Sequence, residues 1–283
     1  SDGDNLTDYE ELFIYETNAT NVDTDEDGVN DGDEVNIFDH DPKNADSDGD
    51  DVGDYEEAYV YMTSGTNVDS DGDNLTDYEE LFVYGTNATN VDTDGDKIND
   101  GNEVNIFDHD PKKTDSDGDM IGDYEEAYVY MTSGNNADSD GDNLTDYEEL
   151  FIYETNATNV DTDEDGVNDG DEVNIFDHDP KNADSDGDDV GDYEEAYVYM
   201  TSGTNVDSDG DNLTDYEELF VYGTNATNVD TDGDKINDGN EVNIFDHDPK
   251  KTDSDGDMIG DYEEAYVYMT SGNNADSDGD NLT

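Results

Sequence analysis

The chain has no cysteine and no arginine, and lysine is its only basic residue, present eight times against 86 acidic side chains. Without cysteine, neither disulfides nor thiolate metal sites can staple the fold. With a formal net charge of −78 and no basic patch, the chain has nothing to meet phosphate, which argues against nucleic acid and anionic membrane as partners. No apolar run approaches the length of a membrane span, so membrane insertion is not expected. Hydrophobic residues make up only 30% of the chain, too few for one large core. Charge and hydropathy alone would place it among disordered sequences. Yet it carries 20 tyrosines and 8 phenylalanines, which a solvated acidic tail does not need. Something is expected to neutralise the charge and let the rings pack.

What the chain does have is repetition. Residues 1–138 recur unchanged as 139–276, and 1–69 differs from 70–138 at twelve positions. Each 69 residues hold three units of 23: 1–23, 24–46 and 47–69, then 70–92, 93–115 and 116–138. The second block continues as 139–161, 162–184, 185–207, 208–230, 231–253 and 254–276, followed by the partial unit 277–283. Such a unit is too small to fold alone and must stack on its neighbours. The expectation is one continuous array over 1–283 that belongs to a longer one, running past both ends.

The acids are phased. Counting Asp69 as the first residue of a loop, carboxylates stand at positions 1 (Asp69), 3 (Asp71), 5 (Asp73), 9 (Asp77) and 12 (Glu80), with Leu75 at 7. Upstream the schedule reads Asp23, Asp25, Asp27, Asp31 and Glu34 around Val29. It then reads Asp46, Asp48, Asp50, Asp54 and Glu57 around Val52. Downstream come Asp92, Asp94, Asp96, Asp100 and Glu103 around Ile98, and Asp115, Asp117, Asp119, Asp123 and Glu126 around Ile121. The second block gives Asp138, Asp140, Asp142, Asp146 and Glu149 with Leu144, then Asp161, Asp163, Asp165, Asp169 and Glu172 with Val167. Asp184, Asp186, Asp188, Asp192 and Glu195 follow with Val190, and Asp207, Asp209, Asp211, Asp215 and Glu218 with Leu213. Last are Asp230, Asp232, Asp234, Asp238 and Glu241 with Ile236, and Asp253, Asp255, Asp257, Asp261 and Glu264 with Ile259. These are eleven complete loops. Asp2, Asp4, Leu6, Asp8 and Glu11 keep the schedule without a first ligand, and Asp276, Asp278 and Asp280 begin a further loop.

This is the oxygen-ligand schedule of a twelve-residue calcium loop. Alternate side chains turn inward at 1, 3 and 5, a backbone carbonyl serves at 7, and the glutamate at 12 binds with both oxygens. Position 9 acts directly or through water. Calcium takes six to eight oxygens, magnesium prefers a tighter octahedron, and zinc would want the histidine or cysteine that the loops lack. Mere solvated acidity would not enforce fixed phasing with an apolar residue at 7. About one Ca2+ per 23-residue unit is therefore expected.

At these residues the chain resembles the thrombospondin type 3 repeats, especially their bacterial and archaeal relatives. Those carry D-x-D-x-D-G-x-x-D-x-x-E in short tandem units of secreted or surface proteins. The resemblance covers essentially the whole chain and implies calcium ligation by the acids named above. One departure is position 6, where the family usually has glycine and only Gly28 and Gly166 comply. Asn74 and Asp51 tolerate left-handed geometry; Lys97 and Met120 do so less readily, and their loops are expected to bind more weakly.

Soon after each position-12 glutamate comes an apolar stretch, "LFIY", "VNIF" or "AYVYM". Leu6, Tyr9 and Phe13 have helical spacing, which predicts a short helix leaving each loop; the β-branched and aromatic content keeps a short strand as the alternative. The fold class is thus a tandem-repeat rod or solenoid of calcium loops and short α-helices, mostly loop, metal-stapled and without a large core. Tyr59 and Tyr61 are expected to fill a thin core, with an exposed packing or carbohydrate stripe as the alternative.

His40, His109, His178 and His247 sit in "FDHDPK". A metal role is open to them, but a histidine in a proline-containing turn is the plainer reading. Asp39 and Asp41 are read as turn acids, with a second calcium as the alternative. "NAT" at Asn18, Asn87, Asn156 and Asn225 is a glycosylation sequon in an expected exposed turn; "NLT" at Asn5, Asn74, Asn143, Asn212 and Asn281 lies inside the loops. The function expected is a calcium-stabilised extracellular structural protein forming a thin rod, stalk or filament, with copies of itself along or beside it. An acidic adhesin or docking module, and a calcium reservoir or mineral-nucleating protein, are the alternatives. An enzyme is not expected, because every candidate residue recurs and most already have a ligand role.

Overall fold

The structure is a computed structural model that describes residues 2–277 and 279. The chain divides into two compact bodies, Ser1–Ser139 and Asp140–Thr283. Each is built from loops and short helices at 23-residue intervals, and no strand occurs among the described residues. The helix rather than the strand is what the apolar stretches form.

Each helix starts inside the loop, at position 9. In the first unit an α-helical turn, Asp8–Glu10, widens into a π-helical turn, Glu11–Tyr15. Among the described residues ten helices of eight residues follow this plan; Glu79–Tyr84 and Glu217–Tyr222 are π-helical over six. Local chemistry sets both ends. Thr7 caps the first helix through a reciprocal pair with Glu10, and Thr145 does the same with Glu148. At the other end the chain turns left-handed, at Glu16, Asp39, Met62 or Gly85 in successive units. The wide last turn lets one carbonyl close the helix with two donors: Glu80 O accepts from Gly85 N at 2.7 Å and Thr86 N at 3.0 Å.

The interior is not aromatic. Val29, Val52, Leu75, Ile98 and Ile121 at position 7 are buried, as are Leu144, Val167, Val190, Leu213 and Ile236; Ile259 is half-buried. The rings form a ladder on the outside, which corrects the expectation of a thin aromatic core. Tyr59 is 44% exposed and Phe13 71%. Rings meet within a helix (Tyr55 and Tyr59, 5.3 Å) and between units (Phe38 and Tyr59, 5.3 Å; Tyr61 and Phe82, 5.8 Å). The physical reason is space: what lies beneath each helix is its own glutamate, buried at Glu34, Glu57, Glu80 and their equivalents.

Neighbouring units are hydrogen-bonded to each other. The position-5 carboxylates of Asp73, Asp142 and Asp211 accept the N–H groups of Gly101, Gly170 and Gly239 at 2.7, 2.7 and 2.5 Å. Each acceptor meets the first turn of the next unit's helix, where backbone N–H groups are unpaired and negative charge is favoured. Glycine is required there because a Cβ at Gly101 would lie 2.1 Å from Asp73 O.

Candidate metal centres

Each loop is shaped by its own acids. Asp23 at position 1 accepts from Glu26 N (2.7 Å) and Gly28 N (3.0 Å), folding positions 4 and 6 over itself. Asp25 accepts from Asp27 N at 3.2 Å, and Asp27 from Val29 N at 2.7 Å. These short local bonds turn the side chains at 1, 3 and 5 inward. Ligand oxygens of Asp23, Asp25 and Asp27 lie within 4.8 Å of one another, as do those of Asp2, Asp4 and Glu11. Asp278 and Asp280 lie outside the described residues, with Asn281, and the loop from Asp138 has residues in both bodies.

Left-handed backbone occurs at two positions of each loop, not one. Position 6 has φ of 80° at Asn74, 92° at Lys97 and 87° at Met120. Position 4 is also left-handed, at 85° in Gly72 and 65° in Glu26. Most loops place their glycine at 4; those from Asp23 and Asp161 place it at 6, as Gly28 and Gly166. The departures from glycine at position 6 therefore change which left-handed residue is relieved, while the turn itself is kept.

Position 9 is a clasp. Asp31 accepts from Thr24 N and Thr24 Oγ1, both at 2.6 Å, and Asp54 accepts from Ser47 N (2.8 Å) and Oγ (2.7 Å). Asp77, Asp100, Asp123 and Asp169 are held the same way by Ser70, Thr93, Ser116 and Thr162. The Ser or Thr at position 2 thus ties the loop shut, a role the carboxylate count did not disclose, although the residue recurs in every complete loop.

Position 12 is the centre. Glu57, Glu80, Glu126, Glu149, Glu195 and Glu218 are fully buried, and in each Oε2 has no hydrogen-bond donor. Their Oε1 atoms accept from a threonine one turn on, as from Thr86 to Glu80 at 3.2 Å and Thr132 to Glu126 at 3.1 Å. In Glu34, Glu103, Glu172 and Glu241 neither oxygen has a donor, because the threonine is replaced by His40, His109, His178 or His247. At position 3, the Oδ2 atoms of Asp25, Asp71 and Asp94 are likewise buried and undonated, while each Oδ1 accepts from the position-5 N–H.

Burial, reinforced by neighbouring carboxylates, pushes these acids far up. Glu57 and Glu80 rise to about 8 and Glu34 and Glu103 to about 9. Asp25, Asp48, Asp71 and Asp94 rise to about 6. Thr86 holds Glu80 lower, whereas no threonine relieves Glu34. A buried carboxylate without a donor is costly and is relieved by a proton or by a cation. The donor set is all oxygen and convergent, with undonated oxygens at positions 3 and 12, which fits a hard dication of calcium's type.

The four histidines of the proline-containing stretch are buried: their side chains are only 2–3% exposed and face the acids of the following unit. Asp39 and Asp41 are exposed turn acids. The "NAT" asparagines are exposed, and the Oδ1 of Asn18 accepts from Thr20 N (3.3 Å) and Thr20 Oγ1 (2.9 Å). In the "NLT" loops Nδ2 is engaged instead, as from Asn74 to Asp73 O at 2.7 Å.

No family model and no curated protein matches the chain. Among solved structures it is similar to the BSP domain of a biofilm associated protein, 46% identical over 15% of this chain and 7% of that one, with a TM-score of 0.15. It is also similar to the B domain of a biofilm associated protein, 44% identical over 16% of this chain and 11% of that one, TM-score 0.16. The chain thus spans only a small part of the length of either.

Proposed function

We propose that this chain is a calcium-stabilised structural repeat protein of the thrombospondin type 3 kind, working outside the cell as a thin rod, stalk or filament. The observation that carries the reading is the buried glutamate of each unit, with at least one oxygen that no donor serves, beside the inward acids of its own loop as Glu11 is beside Asp2 and Asp4. Calcium would be held by the carboxylates at positions 1, 3, 5 and 12 and the position-7 carbonyl. Position 9 would act through its clasp or a water. When bound, the ion supplies positive charge where the fold has gathered only negative charge. A site of about 0.1 mM affinity in millimolar calcium adds roughly 2 kcal/mol. Calcium at that level is a property of extracellular fluid, which supports an extracellular place; no helix among the described residues is long and apolar enough to cross a membrane. The exposed Asn18, Asn87, Asn156 and Asn225 are the asparagines open to glycans.

Hydrogen bonds between successive units within each body favour an elongated array whose length grows with repeat number. Circular dichroism and small-angle scattering of the full chain, with calcium and with excess chelator, test this together. The helical signal and the long dimension should both collapse on chelation and return with calcium. A chelated chain that keeps both would overturn the calcium reading. A compact particle in calcium would overturn the rod alone.

A further inference from the structure

Every third unit carries a histidine where the other two carry a threonine. The exchange leaves two groups unsatisfied at one place. Glu34 has lost the hydroxyl donor that serves Glu57 and Glu80, so both of its oxygens lack a partner. The Nδ1 of His40 also lacks a hydrogen bond although the side chain is 2% exposed. It lies 3.4 Å from the Oδ2 of Asp54, and the same pair is 3.5, 3.6 and 3.7 Å apart at His109, His178 and His247. Ligand atoms of His40, Asp54 and Glu57 fall within 4.8 Å of one another, and so do those of Glu172, His178 and Asp192. The imidazole therefore faces its own unit's glutamate and the next unit's acids.

Its other edge is closed. A Cβ on Gly65 would stand 2.3 Å from His40 Nε2, and the glycines facing the other three histidines are as tight, at 2.3–2.5 Å. The ring is thus held with Nδ1 toward the carboxylates. A separation of 3.4–3.7 Å is long for a hydrogen bond. It is close to the edge of a tetrahedron with metal bonds near 2.05 Å, about 3.4 Å.

We propose that each histidine junction binds a second cation, a first-row transition-metal dication of the zinc, cobalt or nickel class. His40 Nδ1 and Asp54 are its core ligands, and Glu34 and Glu57 flank it. Nitrogen decides the class: imidazole suits these metals, while calcium and magnesium take oxygen. Asp54 Oδ2 accepts one hydrogen bond, from Ser47 Oγ, and keeps a lone pair for the metal. The proposal rests on the calcium reading only in that the loops are to be filled first.

The test is a cobalt(II) titration of the full chain in saturating calcium. Visible absorption follows cobalt, and elemental analysis counts both metals. Four cobalt ions per chain are expected with calcium unchanged. The variant H40T/H109T/H178T/H247T, which installs the threonine of the other units, should take none of these and keep its calcium. Should that variant fail to fold, H40T alone should take three. No uptake by the native chain, uptake that persists in the variants, or cobalt gained only as calcium is lost would each overturn the proposal. A chain that holds no calcium fails the calcium count alone and leaves the cobalt difference between native and variant readable.

Discussion

Replacing Glu103 by glutamine separates a ligand from a packed side chain. The two are nearly isosteric, and Glu103 is fully buried with neither oxygen donated. Burial pushes its carboxyl from 4.5 to about 9. In metal-free solution at pH 8 the unfolded carboxyl is ionised, so taking up a proton on folding would cost on the order of 5 kcal/mol, an upper bound. Glutamine removes that cost, so without metal the substitution is neutral or stabilising. In millimolar calcium the sign reverses. The loop loses its two-oxygen ligand and with it roughly 2 kcal/mol of site binding. Hydrogen exchange read by mass spectrometry measures this locally, and the duplicated sequence supplies the control. Residue 103 corresponds to Glu241 in the second block, so the two peptides differ only by the substitution. In calcium the substituted peptide should exchange about 30-fold faster than its Glu241 twin. In chelator the difference should vanish or invert. Equal protection in calcium would refute the argument that the glutamate is there to hold a cation.

The metal-free chain should also respond to pH against the usual direction for a protein rich in acids. Its position-3 aspartates (about 6) and position-12 glutamates (about 8 to 9) titrate above their ordinary range. The folded state therefore holds more protons than the unfolded one, and stability falls as pH rises from about 4 to 9. Circular dichroism in chelator should show more helix at pH 5 than at pH 8; the opposite order would contradict it. Gly65→Ala should cost roughly 1–3 kcal/mol in thermal melts, because its Cβ would meet His40 Nε2 at 2.3 Å. Adding His40→Thr should recover much of the loss, since the equivalent positions one unit on are Thr63 and Ala88; no recovery would show that the two sites do not share the space. Met120→Gly should raise the melting temperature in calcium by an amount equivalent to about 0.5–1 kcal/mol, because Met120 is left-handed at 87° and 75% exposed. A lower melting temperature would mean that the methionine side chain contributes contacts that outweigh its backbone strain.

The phasing of Asp69, Asp71, Asp73 and Glu80 was legible because a loop that turns alternate side chains inward must space them that way. The short helices were legible from Leu6, Tyr9 and Phe13, but not which side of them is covered. Periodicity reports a face, and here the space beneath the face is taken by Glu11 or its equivalent, so Tyr9 and Phe13 remain outside. The clasp from position 2 to position 9 was hidden because a serine or threonine beside an aspartate reads as an ordinary loop residue. Only the seven-residue return from Thr24 to Asp31 brings the pair together. The burial of His40 depends on Gly65, 25 residues on. Such a fit between units becomes visible only when the two are stacked.

Calcium counted directly tests the central claim. The full chain, stripped with chelator and dialysed against millimolar calcium, should hold at least one ion for each of its eleven complete loops by elemental analysis against the dialysis buffer. Substituting glutamine at Glu34, Glu57 and Glu80 should lower that number by three. A chain that folds with no bound calcium, or whose count is unmoved by losing those three glutamates, would contradict the account.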